Sequence, residues 1–186
     1  MRASLIIKAA AAFIAGIYIT FSQAHDANVA MFGLLIISAG WFLASIISVL
    51  KNSNPILNGV LILATAAMAW LTVSFEANNA TTWAWILLEA WALFGAIFEL
   101  IFALRAQKKS AIRRDYLINA GLALGLFVSQ VSITAAADSV SHVGFFGAYA
   151  AILGVHLAIA SASPNAIASA SPNAIASASP NTQTKA

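Results

Sequence analysis

The stretch TWAWILLEAWALFGAIFELIFAL, residues 82–104, decides the fold of this chain. As an α-helix it is long enough to cross the hydrocarbon core of a bilayer, which takes about 20 mostly apolar residues. Only Glu89 and Glu99 are charged within it, and a basic segment follows it directly. The whole chain is 61% hydrophobic and 8% charged, whereas an ordinary soluble domain is about 25% charged. This composition excludes a water-soluble fold.

Further stretches of similar length and character lie on both sides of this one. Together they predict an all-α integral membrane protein in which residues 1–160 form six transmembrane helices. Short connections rich in Asn, Asp, Ser and Pro separate the stretches, so each helix should run antiparallel to the next. The predicted helices are Ser4–Phe21, Val29–Leu50, Pro55–Phe75, Thr82–Leu104, Tyr116–Ala136 and Val140–Ala160.

The positions of the cations predict the orientation of the helices. All nine Lys and Arg residues fall at one end of the predicted hairpins, and the three connections at the other end carry none. This asymmetry is typical of the cytoplasmic side, so both termini should be cytoplasmic and the protein should be a multi-pass protein of the cell (cytoplasmic) membrane. Five of these cations form a basic loop after the fourth helix: Arg105, Lys108, Lys109, Arg113 and Arg114.

The basic loop also bears on partners. Because apolar runs flank it, we expect it to contact the lipid bilayer through anionic headgroups and not to bind nucleic acid. Self-association as a homo-oligomer stays open. The chain has no cysteine and only three scattered histidines, so we expect no metal site and no cofactor.

The first helix has a second interpretation. Arg2 and Lys8 could form the basic region of a signal peptide, residues 9–21 its apolar region, and Ser22-Gln-Ala24 its cleavage site. Cleavage would leave five helices in the same orientation. The internal repeat described next favours retention of this helix.

Small residues recur at one spacing in the even-numbered helices, and this spacing predicts an internal triplication into three helical hairpins. Offsets of four, three and four residues trace one face of a helix, and glycine there lets neighbouring backbones approach closely in lipid. The stripes are Gly33, Ile37, Gly40 and Ala44; Leu88, Ala92, Gly95 and Glu99; and Gly147, Ala151, Gly154 and Ala158. Gly121, Gly125 and Ser129 form a further small-residue run in the fifth helix.

The segments Gly95–Arg105 and Tyr116–Phe127, with the short basic loop between them, resemble the HdeD-type acid-resistance membrane proteins. Those are small inner-membrane proteins with six helices built from similar helical pairs. The resemblance is clearest over residues 83–160. It implies a role at the inner membrane, in acid or envelope stress, and it brings no catalytic residues with it.

Ionisable residues inside the predicted helices need a reason, because each costs about 2.5–3.5 kcal/mol near the bilayer centre. Glu99 lies on the small-residue stripe and Lys8 lies at a similar depth on a face with Ala12 and Ala15. Either the two form an ion pair, or both extend towards the cytoplasmic headgroups. Both interpretations are structural.

Glu89 lies deeper, and its spacing puts it on nearly the same face as Glu99. Two inward glutamates could relay protons or bind a cation. The favoured alternative is that Glu89 is protonated, or hydrogen-bonded to a facing side chain such as Gln130, and holds the bundle together. His156 should point away from the packing stripe towards the interface, and it is a weak candidate for a pH sensor.

After residue 160 the composition changes. Residues 158–181 are three copies of AIASASPN, and residues 161–186 are expected to form a disordered cytoplasmic tail because each copy carries a proline and little apolar bulk. A tolerated repetitive extension is favoured over a phosphorylated or partner-binding tail.

The sequence contains no phosphate-binding loop, nucleophile elbow or metal-ligand pair on a helix. We therefore expect a non-enzymatic membrane protein. The alternative is a small transporter or channel for protons, cations or a small solute, using Glu89 and Glu99. No proline interrupts any of the predicted helices, and this disfavours the alternative, because transporters commonly break helices at the substrate site.

Overall fold

The computed structural model describes residues 2–51, 55–74, 80–133 and 139–163. In this part of the chain it has six α-helices and no strand. They are α1 (Arg2–Phe21), α2 (Ala27–Leu50), α3 (Pro55–Ser74), α4 (Ala80–Arg105), α5 (Ala111–Ser132) and α6 (Ser139–Ala162). The all-helical prediction is confirmed. The repeat tail beyond residue 163 lies outside the described residues.

Polar side chains cap two of the helices at their first turns. Asp26 accepts a hydrogen bond from the Val29 backbone N–H at 3.1 Å and so begins α2. Ser110 does the same for the Arg113 N–H at 3.2 Å. The prediction that the fifth helix begins at Tyr116 was therefore wrong, because this cap satisfies a backbone donor that would otherwise lack a partner.

The position of the Ser110 cap also corrects the predicted basic loop. Arg105 is the last residue of α4, and Arg113 and Arg114 lie in the first turn of α5. Only Lys108 and Lys109 belong to the connection itself. Lys109 adopts φ of 66°, a left-handed conformation that turns the chain from α4 into α5.

α1 and α2 run antiparallel, as their contacts establish. Ile19 meets Gly33 near one end of α1 and α2, while Ala11 meets Gly40 nearer the other end. α1 packs closely on both α2 and α6, α2 packs on α3, and α4 packs on α5. Contacts between α3 and α4 are few. The predicted division into three hairpins stays a prediction, since α4 packs more extensively on α5 than on α3.

Five of the described helices are long and apolar enough to cross a membrane: α1, α2, α3, α4 and α6. α5 does not meet this criterion, because Arg113, Arg114 and Asp115 occupy its first turns and Asn119 and Gln130 lie further along it. Large apolar side chains face outwards on α5 as on the other helices. Among them are Ile14, Phe21, Leu63, Trp70, Leu104, Val131 and Ile159.

The glycines of the α2 and α6 stripes lie at helix contacts, as predicted, and the helix that they contact is α1. A Cβ added at Gly154 would lie 2.9 Å from the backbone nitrogen of Phe13, and one at Gly147 would lie 2.8 Å from the Ile19 side chain. Gly40 approaches Ala11 so closely that a Cβ there has no room. Within α6 the stripe is only half buried, because Ala151 and Ala158 are exposed. The close approach of α1, through its backbone at Gly154 and through side chains at Gly40 and Gly147, explains these glycines.

The predicted packing role of Gly121 and Gly125 was wrong for the contacts of this chain. Both glycines are exposed, and an added Cβ would meet nothing within 4 Å at either position. The buried face of α5 is instead formed by Asn119, Ala120, Ala123, Leu126 and Gln130. Gly95, on α4, is half-buried and its added Cβ would lie 3.8 Å from Ala123, an ordinary contact.

Candidate functional site at the centre of the helix bundle

An ion pair joins α1 and α4 in the interior of the bundle. Lys8 Nζ lies 3.5 Å from Glu99 Oε1, and the two side chains are only 11% and 8% exposed. Of the two interpretations of these residues, the structure has the ion pair and not two side chains extended to the headgroups. Ala12 and Ala15, on the same face of α1 as Lys8, are fully buried and allow α1 to approach its neighbours.

An aromatic ring supports the cation of this pair. Lys8 Nζ lies over the Trp41 ring, 5.0 Å from its centroid, a distance at which a cation is attracted to the ring face. Trp41 in turn packs edge-on against Trp91. The Lys8 charge is therefore stabilised from two sides, by the Glu99 carboxylate and by the indole of Trp41.

Asn119 of α5 completes what we call the central polar cluster: Lys8, Trp41, Glu99 and Asn119. The Asn119 Nδ2 donates to Glu99 Oε2 at 3.4 Å. The side chain is buried, and its Oδ1 has no hydrogen-bond partner among the described residues. A buried carbonyl oxygen without a donor is uncommon, because leaving it unpaired costs free energy.

A small cavity of about 20 Å³ adjoins the cluster. Glu99 and Asn119 supply polar groups to its wall, and the remaining lining is largely aromatic. The lining residues of α2 to α6 are Trp41, Leu61, Trp91, Phe94, Gly95, Phe98, Glu99, Phe102, Asn119, Ala123, Tyr149 and Leu153. With Lys8 from α1, all six helices meet at this point. The volume suits one water molecule but not a solute.

A second polar cluster lies where α4, α5 and α6 meet, towards the end of the bundle opposite to the basic residues. The His142 ring stacks on Trp85 with centroids 4.4 Å apart. His142 Nδ1 lies 2.6 Å from Gln130 Oε1, and Gln130 Nε2 donates to the His142 backbone carbonyl at 3.0 Å. Gln130 is fully buried and His142 nearly so. These paired bonds tie the end of α5 to the start of α6.

The second cluster also shows whether Gln130 is the partner of Glu89. Gln130, which the sequence suggested as a partner for Glu89, is bonded to His142 instead. Glu89 is half-buried, and it forms no hydrogen bond or ion pair with any described residue. It does not line the cavity beside Glu99. The cavity beside Glu99 therefore does not connect the two glutamates.

His156, which the sequence suggested to be interfacial, lies in a pocket near the end of α6. Its side chain is half-buried, and its Nε2 is buried without a partner among the described residues. It lines a pocket of about 230 Å³ between α5 and α6, together with Arg114, Asp115 and Ser163. This pocket lies at the end of the bundle that carries the basic residues.

Sequence reasoning missed Asn119, His142 and Tyr149 as members of polar or cavity-lining sites. Asn119 is preceded and followed by apolar residues, in the segment Leu117-Ile-Asn-Ala120. An amide within such a segment, on the same face as Ala123 and Leu126, indicates a side chain that faces the interior of the bundle. Nothing in the local sequence indicated which carboxylate it would meet.

The chemistry available at the central polar cluster is limited by its size and its charge balance. One carboxylate, one ammonium and one amide can hold a water molecule and can exchange a proton. Among the described residues there is no group of three His, Asp or Glu side chains that could hold a metal ion. Comparison with known proteins adds no further evidence, since no family model, curated protein or solved structure matches this chain.

Proposed function

We propose that this chain is a multi-pass protein of the cytoplasmic membrane with six spanning helices and cytoplasmic termini, and that it acts in acid or envelope stress without catalysing a reaction. The central polar cluster supports the non-catalytic part of this proposal, and the stress role rests on a sequence resemblance. The cluster closes the bundle where all six helices meet, and the cavity beside it admits no more than a water molecule. A bundle closed in this way leaves no space for a solute at its centre.

The outward-facing side chains support the membrane setting. Leu63, Trp70 and Ile159 expose between 66% and 73% of their surface. Patches of this kind are rare on soluble monomers but ordinary where lipid is the solvent. We also propose that α5 spans the membrane, because it packs antiparallel along α4 from the Phe102–Tyr116 ring contact past Gly95 and Ala123. A helix so placed occupies the same layer as its partner.

Orientation can be tested with reporter fusions. Fusions after Lys51 and within residues 106–110 should report the cytoplasm, and fusions within residues 22–26 the opposite side. A fusion within residues 134–138 tests α5. It should report the outer side if α5 crosses the membrane, and the cytoplasm if α5 does not. Cytoplasmic signals at residues 22–26 and 106–110 alike would overturn the six-span arrangement.

The stress role rests on the HdeD-type resemblance of the Gly95–Arg105 and Tyr116–Phe127 segments and needs a test in cells. A deletion strain should survive acid challenge less well than its parent. Wild-type protein should restore survival, and the Glu99→Gln variant should restore it less well than a Gly121→Ala control. Equal survival of deletion strain and parent would remove the stress role.

Proton movement is the second candidate, and the cavity beside Glu99 and Asn119 favours it over transport of a larger solute. A single water molecule can pass a proton between a carboxylate and its neighbours, whereas an ion with its hydration shell needs more space. Purified protein in liposomes under a pH gradient provides the test. Proton flux that Glu99→Gln abolishes and Glu89→Gln leaves intact would support this candidate, and flux equal to that of empty liposomes would end it.

A further inference from the structure

Two adjoining pockets lie at the start of α5, on the side of the bundle that carries the basic residues. The larger, of about 500 Å³, is lined by Lys109, Ser110, Arg113, Arg114 and Leu117, with Ala111. The second is the pocket of about 230 Å³ that His156 lines between α5 and α6. Ala111 and Arg114 belong to both. We call the two together the α5 pocket.

The charges in the α5 pocket are unbalanced. Lys109, Arg113 and Arg114 supply three cations, and none of them forms an ion pair with a described residue. Asp115 is the one acidic residue in the lining. His156 Nε2 is buried there and lacks a partner among the described residues. The pocket thus offers more positive charge and hydrogen-bonding capacity than the chain around it uses.

Apolar surface continues directly from this pocket. Leu117 and Ile118 follow on α5, each about two-fifths exposed, and Ile159 on α6 is 66% exposed. Leu117 lines the larger pocket, and Ile118 and Ile159 line the smaller one. The contact between α5 and α6 is less extensive than that between α4 and α5. A molecule bound here would therefore meet cations at one end and aliphatic side chains at the other.

We propose that the α5 pocket binds the phosphate of one anionic phospholipid, with its acyl chains along the exposed apolar residues of α5 and α6. Arg113 and Arg114 suit a phosphate because each guanidinium presents several donors, and Lys109 adds a point charge. Basic pockets between transmembrane helices on the cytoplasmic side are a known form of headgroup site. The proposal rests on the membrane setting proposed above, and it narrows the diffuse contact expected of the basic residues to one defined site.

A soluble phosphate would satisfy the cations but would leave the apolar continuation unused. The lipid is therefore the favoured occupant. Attachment of acyl chains also makes the binding depend on both halves of the surface, the basic pocket and the aliphatic side chains. This dependence separates a phospholipid from a free phosphate in experiment.

The test uses the full chain, purified in a neutral detergent and titrated with phosphatidylglycerol, phosphatidylcholine or glycerol 3-phosphate. Native mass spectrometry counts bound molecules and gives their affinities. We expect one phosphatidylglycerol per chain, bound more tightly than phosphatidylcholine. Arg114→Gln combined with Lys109→Gln should weaken it about tenfold or more, since charged hydrogen bonds are lost. Both side chains are exposed, so folding should survive.

Lys51→Gln provides the matched control, because Lys51 is an exposed cation at the other described basic connection. It should leave phosphatidylglycerol affinity unchanged. Equal weakening by Lys51→Gln would mean a general charge effect and would overturn the site, as would equal affinity for the two lipids. Glycerol 3-phosphate bound as tightly as phosphatidylglycerol would identify a free phosphate as the ligand and overturn the lipid proposal.

These outcomes are separable from failure of the proposed function. A protein that is not membrane-embedded would be recovered from cells without detergent. A membrane protein lacking the lipid site would need detergent and would still show no preference for phosphatidylglycerol.

Discussion

Lys8 and Glu99 are 91 positions apart in the sequence, and their charged groups lie 3.5 Å apart in the interior of the bundle. Both side chains are about nine-tenths buried. Each charge has lost most of its hydration and is compensated by the other, so neither can be removed alone without leaving an unpaired charge in a largely apolar interior. The pair therefore couples α1 to α4.

Substitution of one member of this pair should destabilise the protein more than substitution of both. Lys8→Met alone or Glu99→Gln alone should each lower the free energy of unfolding by about 3 kcal/mol, because each strands a buried partner. The Lys8→Met, Glu99→Gln double variant should lose less than the sum. Unfolding by steric trapping in bicelles would measure all three. Additive losses would indicate that the two side chains act independently.

The two types of glycine site should respond oppositely to alanine. Gly154→Ala should destabilise the protein by about 1–3 kcal/mol, because the new methyl group would press on the Phe13 backbone at 2.9 Å. Gly121→Ala should be neutral or stabilising by about 0.5–1 kcal/mol, since the site is open and alanine favours a helix. Thermal unfolding in detergent gives both. A loss at Gly121 equal to that at Gly154 would show that Gly121 packs against something outside this chain.

Gln130 and His142 should each stabilise the protein only while the other is present to bond it. His142→Phe retains a ring to stack on Trp85 but leaves Gln130 Oε1 buried without a donor, at a cost of about 1–3 kcal/mol. Adding Gln130→Met should recover part of that loss, because methionine of similar volume has no amide to satisfy. Unfolding free energies of the single and double variants decide this. A double variant less stable than His142→Phe would contradict it.

Backbone strain at Lys109 predicts a stabilising substitution. Lys109→Gly should raise stability by about 1 kcal/mol, because glycine adopts a φ of 66° without the clash that a Cβ causes. Lys108→Gly removes the same charge one position earlier, where φ is negative, and should give no gain. Melting temperatures of the two variants, compared at equal ionic strength, separate strain relief from charge removal.

Much of the fold could be predicted because apolar run length and cation placement are local signals. The start of α5 could not be predicted from these signals. Three consecutive charged residues, Arg113, Arg114 and Asp115, are typical of a loop, but the Ser110 cap places the start of the helix before them. The packing faces of α2 and α4 were predictable from small-residue spacing. Gly121 and Gly125 have the same spacing and pack on nothing in this chain, because spacing does not say which face a neighbour will cover.

The candidate site was half predictable for the same reason. Lys8 and Glu99 are costly in a membrane, so each required a partner, and few charged residues of opposite sign lie at the same depth. Asn119 and His142 acquire their roles only when helices distant in sequence come together. Their partners are set by tertiary packing, and the residues next to Asn119 and His142 in the sequence do not indicate which partners these are.

The close contact of α1 with α6 has a consequence for biosynthesis. Phe13 and Gly16 on the first of the described helices are covered by Gly154 and Ala151 on the last of them. Until α6 is synthesised, that face of α1 lacks the helix that covers it. A nascent chain that stops before Ser139 leaves this face of α1 uncovered, so a protease that recognises exposed apolar surface can distinguish an unfinished copy from a finished one.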